Sequence, residues 1–300
     1  MKHLGIVLLF LSGNVLGQID NSNGIYTDSY QVHGGYRWLD ADLGNFPSIS
    51  YHDVGARASK NIMDIGLLNI YADYTGEDNH YGGSEYPRLN AGFVLPLSKY
   101  LSASFSLGGM QYTRSLYKIE SESYAISGDV FLHDIDYGKI GALLGYGDAK
   151  TKINNNSFNL NTEVSSYTLY GSYYFDNFTV NAVIFLSENK NKFDGLSFSD
   201  SNASWHVSAN LYPLDNTKLT VQGNIVNSNK NFSVLLNHQL FDNLILGFQF
   251  ETQDNLYHNI GGQTNRFTMN TYGFNLIYHF GNKSTMKTRD RNLQQTGVYR

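Results

Sequence analysis

The chain has 300 residues, no cysteine, 16% charged residues and a formal net charge of −5. The missing cysteines exclude a disulfide framework, and the charge content is below the roughly 25% of an ordinary soluble domain. Mean hydropathy is −0.33, and no apolar run reaches the roughly 20 residues of a membrane-spanning helix.

The first residues read as an export signal. Met1-Lys2-His3 is a short basic start, and Leu4 to Leu11 is apolar apart from Gly5. Val15-Leu16-Gly17 then offers short side chains at a cleavage position, which predicts a signal peptide over 1–17 and a mature chain from Gln18. No cysteine follows that point, so a lipid-modified N-terminus is not expected.

Beyond the signal, apolar and polar residues alternate in run after run. Period two places the two sets on opposite faces of a strand. Strands are predicted at 29–39, 47–57, 61–75, 87–97, 101–114, 123–133 and 138–150, then at 164–175, 178–191, 203–213, 218–228, 231–241, 244–254 and 267–280. The clearest is Leu101 to Leu107, where Leu101, Ala103, Phe105 and Leu107 oppose Ser102, Ser104 and Ser106. The same reading puts Leu89, Ala91, Phe93 and Leu95 on one face, Tyr167, Leu169 and Tyr173 on another, and later Trp205, Val207, Ala209 and Leu211. The second strand is weak, because it holds Pro47 and a polar sequence. Merging the first two strands would leave twelve. The stretch from Asn61 to Tyr74 is apolar on both faces and takes no orientation from its pattern.

The connections alternate too. Phe175-Asp176-Asn177-Phe178, Leu214-Asp215-Asn216-Thr217 and Phe241-Asp242-Asn243-Leu244 are near-copies of one tight turn. Asp and Asn suit it because their side chains bond nearby backbone. Leu97 to Tyr100 and His133 to Tyr137 occupy the equivalent places upstream. At the other strand ends, long polar connections are predicted around 40–46, 76–86, 151–163, 192–202 and 255–266. Tight turns at one end and longer loops at the other describe an all-β, up-and-down antiparallel barrel of about 14 strands. In this respect the chain resembles the porin-like β-barrels of the bacterial outer membrane, whose termini and tight turns face the periplasm.

The last strand carries a second resemblance. Tyr272, Phe274, Leu276, Tyr278 and Phe280 alternate through Tyr272-Gly273-Phe274-Asn275-Leu276-Ile277-Tyr278-His279-Phe280. This is similar to the terminal strand of outer-membrane barrels, and the resemblance implies that Gly273, Leu276, Tyr278 and Phe280 are read by the barrel assembly machinery. The chain departs from the pattern by continuing for 20 residues after Phe280. That segment, 281–300, carries Lys283, Lys287, Arg289, Arg291 and Arg300 against Asp290 and reads as a basic periplasmic tail. Without it and Lys2 the body holds 15 basic and 25 acidic residues, a balance that does not suggest nucleic-acid binding.

Chemistry has few candidates. His206-Val207-Ser208 sets a His and a Ser on one strand face, with Asn210 next. Outer-membrane phospholipase A resembles this arrangement, but its pair must face lipid, whereas Trp205, Val207, Ala209 and Leu211 claim that face here. His206 and Ser208 are therefore expected to line the interior rather than to catalyse. His52-Asp53 and His133-Asp134 are adjacent in sequence and so point to opposite faces. The Gly82-Gly83-Ser84 run sits in a polar loop and is not a phosphate cradle. No enzyme activity, metal or cofactor is called for.

By alternation Arg37, Arg88, Arg114, Asp129, His206 and Glu251 point inward. The three arginines lie near the outer ends of their strands and read as a positive cluster opposed by Asp129 and Glu251, as pores use rings of charge to set ion preference. A barrel of twelve to fourteen strands lies between a filled one and an open channel. The expected function is a porin-like channel for passive diffusion of small polar solutes or ions. A non-conducting structural or surface-interaction barrel is the alternative, and a membrane-embedded acyl hydrolase is disfavoured. Expected partners are outer-membrane lipids and lipopolysaccharide, the assembly machinery and periplasmic chaperones.

Overall fold

The computed structural model describes residues 29–41, 49–62, 66–78, 82–98, 100–115, 118–134, 136–153, 158–193, 195–227, 229–258, 264–280 and 285–287. The segment read as an export signal and most of the basic tail lie outside them.

Fourteen strands follow one another in chain order. They are β1 (Ser29–Ala41), β2 (Ile49–Ile62), β3 (Gly66–Asp78), β4 (Ser84–Pro96), β5 (Leu101–Arg114), β6 (Ile119–Asp134) and β7 (Gly138–Ile153). β8 (Phe158–Tyr174), β9 (Phe178–Phe193), β10 (Leu196–Leu214), β11 (Thr217–Val226), β12 (Asn229–Phe241), β13 (Leu244–His258) and β14 (Thr264–Phe280) complete the set. Each pairs antiparallel with its chain neighbours, and β14 returns to β1, so the sheet closes into a barrel. The weak second strand is real. β2 runs in unbroken register with both β1 and β3, which removes the twelve-strand alternative.

The five tight turns fall where expected. Ser98 Oγ accepts from the Leu101 amide (3.1 Å), and Asp134 carries the next turn by accepting from the Asp136 amide (2.8 Å). At the opposite end the strands outrun the prediction. The expected loops at 151–163 and 192–202 are largely strand, because β7 continues to Ile153, β8 starts at Phe158, and β9 and β10 meet around Gly195 at φ +81°. Polar side chains on both faces of these extensions hide a strand from an alternation test, although ladder hydrogen bonds accept them.

The outer face separates into bands. Leu144, Leu169 and Val54 are 62%, 59% and 58% exposed, and Phe105, Ile126, Val130, Val207 and Phe248 are more than half exposed. An apolar surface this continuous does not face water. Exposed Tyr137, Tyr173, Phe175, Phe178, Phe241 and Phe280 border it at the turn end, and Tyr124, Tyr146 and Tyr167 border it at the other. Aromatic girdles around an apolar belt mark a barrel that spans a membrane. Beyond the tyrosines the outer face turns charged. Glu120 and Glu122 stand opposite Lys152 and Lys150. Lys192 Nζ donates to Glu163 at 2.7 Å, which holds that carboxyl below its ordinary range.

Asn61 to Tyr74 resolves into two elements. β2 ends at Ile62 and β3 starts at Gly66, with Leu67, Asn69, Tyr71 and Asp73 inward and Ile70 and Ala72 outward. The segment looked apolar throughout because inward Leu67 belongs to an interior cluster with Val94, Phe131, Leu143 and Tyr170, against which Val183 packs. This cluster occupies the turn-end part of the β3–β9 wall. In the tail, the Met286 amide donates to the Asp215 carbonyl at 3.1 Å and its side chain is buried. That short stretch therefore rests against the β10–β11 turn.

The face assignment has a direct test. Phe105→Arg or Val130→Arg would set a charge in the apolar belt at a cost of about 2–4 kcal/mol near its middle. Ser104→Arg, inward beside the Asp129 carboxylate, should fold. On detergent gels without boiling, the first two should lose the fast-migrating folded band and the third should keep it. Equal loss in all three would refute the register.

Candidate interior site

The inward positions named from the sequence all point into the barrel, but they do not form the arrangement expected of them. Arg37 lies in a register row that passes through Gln249, Gly273, Arg37, Tyr51, Glu77, Ser84 and Arg114 on consecutive strands from β13 to β5. Tyr51 is within electrostatic reach of Arg37, Glu77, Arg114 and Glu251, so these four charges share one neighbourhood near the loop end. The Arg37 guanidinium sits over the Tyr51 ring, 5.5 Å from its centre.

Arg88 and Arg37 have acidic neighbours on the adjacent strand, and Arg114 shares its row with one on β3. Arg88 forks onto Asp73, with Nε donating to Oδ1 at 2.8 Å and the terminal nitrogen to Oδ2. Both side chains of this pair are nearly fully buried, at 9% and 2% exposure. Arg37 Nε lies 3.9 Å from Asp53 Oδ1. Arg114 shares its row with Glu77, which accepts from the Tyr86 hydroxyl at 3.1 Å. Three arginines face three carboxylates on one wall. A bare positive cluster does not form, because an uncompensated charge in a buried setting costs several kcal/mol. Asp73 was not recognised in the sequence because it lies in the stretch whose orientation the pattern left open. Asp53 was seen only as the neighbour of His52.

Asp129 and Glu251, expected to oppose the arginines, have other partners. Asp129 is buried on β6 and accepts from Ser104 Oγ and from the Tyr170 hydroxyl, the latter at 2.6 Å. Glu251 on β13 accepts from Asn231 Nδ2 at 2.5 Å and from Gln249 Nε2 at 3.3 Å. His206 is buried on β10 opposite Asn224. Ser208 Oγ accepts from Asn181 Nδ2 at 3.1 Å, on the inner face that the alternation assigned to it.

Long inward side chains lie along the wall rather than across the lumen, and glycines make room for them. A Cβ on Gly273 would stand 2.5 Å from Arg37 Cγ, and one on Gly141 would stand 2.5 Å from Tyr170 Cζ. Real Cβ atoms do not approach so closely, so these two positions need glycine for space. The outward partners of β14 build the seam with β1. Trp38 stacks on Tyr272 with ring centres 5.6 Å apart, and Tyr36 meets Phe274 at 6.1 Å. Leu276, Tyr278 and Phe280 continue the outward row opposite Gly34, Val32 and Tyr30.

No family model matches the sequence, and no curated protein matches it. Solved structures match the fold. A FadL homologue from Pseudomonas aeruginosa aligns over 90% of this chain and 96% of its own, with a TM-score of 0.60 at 9% identity. The toluene transporter TodX of Pseudomonas putida covers 90% and 96%, at 0.55 and 9% identity. An anion-selective porin from Comamonas acidovorans covers 85% and 99%, at 0.50 and 12% identity. At these identities the likeness is one of fold, and the fold is that of outer-membrane barrel channels.

The Arg88–Asp73 pair makes a quantitative expectation possible. Arg88→Met leaves Asp73 buried without its cation and should destabilise the barrel by about 3–5 kcal/mol, whereas Arg88→Met with Asp73→Leu should recover most of that. Urea unfolding in detergent, followed by tryptophan emission, measures both. An Arg88→Met barrel as stable as the parent would show that the pair carries no structural weight.

Proposed function

We propose that the protein is an outer-membrane channel for passive diffusion of small polar solutes or ions, exported by the N-terminal signal and inserted by the assembly machinery that reads Gly273, Leu276, Tyr278 and Phe280. The observation that carries this reading is the interior wall. Its side chains are hydrogen-bonding groups and paired charges on a closed 14-strand barrel, and the longest of them lie flat. Wall-hugging side chains leave a lumen, and polar ones wet it. The barrel channels of similar fold support transport rather than catalysis, although they are described as acting on different solutes, toluene in one case and anions in another. In this reading Arg37, Arg88, Arg114, Asp129, Glu251 and His206 line or stiffen the pore, lipopolysaccharide surrounds the charged outer rim, and chaperones carry the unfolded chain across the periplasm.

A second reading, a non-conducting structural barrel, draws on the cluster of Leu67, Val94, Phe131, Leu143 and Tyr170, which fills part of the interior at the turn end. Among the described residues it reaches only the β3–β9 wall, so it narrows the lumen from one side.

Planar-bilayer recording separates the two. The purified, heat-modifiable protein should give discrete conductance steps. Arg114→Ser removes one cation from the girdle near the loop end and should shift the reversal potential toward cations. The shift should be larger at about 0.1 M salt, where charges act over about 10 Å, than at about 1 M, where they act over about 3 Å. A folded protein with no steps would favour the structural barrel, and steps with unchanged selectivity would remove Arg114 from the pathway.

A further inference from the structure

The two halves of the interior differ. On β5–β8 most inward side chains are buried, and hydrogen bonds knit them into the wall: Ser106 to Ser127 at 2.8 Å, Thr151 to Ser121 at 2.9 Å, and Tyr170 to Asp129. Inward Met110, Tyr112, Phe131, Lys139, Tyr170 and Tyr174 thicken this half, and all are buried. Across the barrel, on β11–β14, no Phe, Tyr or Trp points inward within 217–254 and 268–280. There Gln222, Asn224, Asn231, Gln249, Gln253 and Asn275 are partly exposed although they face the interior. An inward side chain can be exposed only to space inside the barrel. The space therefore lies away from the packed β5–β8 half and reaches β11–β14.

We propose that permeation follows an eccentric lane along the inner face of β11–β14, and that its amide lining selects neutral hydrogen-bonding solutes such as small sugars and polyols. The proposal rests on the channel reading above and gives it a route and a solute class. Two fixed charges at the lane are already engaged, and Lys218 stands at its turn end. Glu251 is held by the Asn231 and Gln249 amides, and Arg37, at the edge of the lane on β1, has Asp53 beside it. What meets a solute along most of the lane is a set of amide donors and acceptors. They replace the water around a hydroxyl group without adding a strong field, which a bare ion would need to offset its lost hydration.

The chain has no cysteine, so single cysteines can be placed without background. Gln222→Cys and Gln249→Cys probe the lane; Ser127→Cys and Thr168→Cys probe the packed half. Each variant is first checked for the folded band without boiling. Trimethylammonioethyl methanethiosulfonate should modify the lane cysteines at least about tenfold faster than the packed ones, because a thiol reacts according to its exposure. Proteoliposomes in isosmotic arabinose should swell, and modifying either lane cysteine should slow that swelling several-fold. Equal reactivity in the two halves would overturn the lane. Fast modification with unchanged swelling would show that the space against β11–β14 is not the route. A wild-type barrel that conducts ions but excludes arabinose would overturn the solute class while leaving a channel. Absence of both conductance and swelling in a folded protein would instead overturn the channel reading, and with it the lane as a route.

Discussion

Closure of the sheet is the constraint from which the rest follows. A strand in a membrane cannot leave its N–H and C=O groups unpaired, because no water is there to take them. Fourteen strands meet that demand only when β14 returns to β1, twelve residues deep from Tyr30↔Phe280 to Ala41↔Met269. Once the ring is closed, every side chain has one of two destinations. The even positions of β1 go outward and its odd positions inward, and a slip of one residue would exchange a tyrosine for an arginine. The outward rings of Tyr36, Trp38, Tyr272 and Phe274 pair across the seam and resist that slip by packing. Gly273 resists it from inside, since only a residue without Cβ leaves room for the Arg37 stem.

Closure also explains why the interior charges are matched. Arg37, Arg88 and Arg114 project into a space where water is scarce near the wall. Desolvating a guanidinium costs more than a partner at the surface would return, so each cation is stable there only with an anion nearby. For Arg37 and Arg88 the anions come from the adjacent strands, because cross-strand neighbours are about 5 Å apart while the far wall is much further, and Arg114 shares its row with Glu77 two strands away. A row of alternating signs along β1–β5 is thus the low-energy way to place charge inside a narrow barrel. Asp129 lies ten residues from the Arg114 level along the β5–β6 ladder, and Glu251 is two strands from Arg37. They take hydroxyl and amide donors from β5, β8, β12 and β13 instead.

Much of this was legible in the sequence. Period-two alternation from Leu101 to Leu107 and from β8 to β14 gave the correct faces, and the repeated Asp-Asn turns gave the up-and-down order. What was not legible has physical causes. Where an inward residue is apolar, as with Leu67, alternation disappears even though the strand is regular. Beyond the tyrosine girdle both faces meet polar surroundings, so the extensions of β7–β10 carry no periodic signal at all. The partners of the arginines could not be read either, since pairing depends on register between strands and a sequence shows only the residues within each one. The missed Asp73 combines the first and the last of these causes.

The asymmetry of the interior has the same origin as the flatness of its side chains. A barrel of this size is too wide for one wall to fill and too narrow for two opposing walls to ignore each other. Aromatic and long side chains gathered on β5–β8 pack against one another, bond laterally and exclude water from that half. Many of their counterparts on β11–β14 are amides, shorter than a tyrosine and content in contact with water, so they need no partner across the lumen. Volume removed from one side must remain on the other. The position of the open space is therefore fixed less by any gate than by how unevenly the bulky inward residues are distributed around a ring whose backbone is uniform.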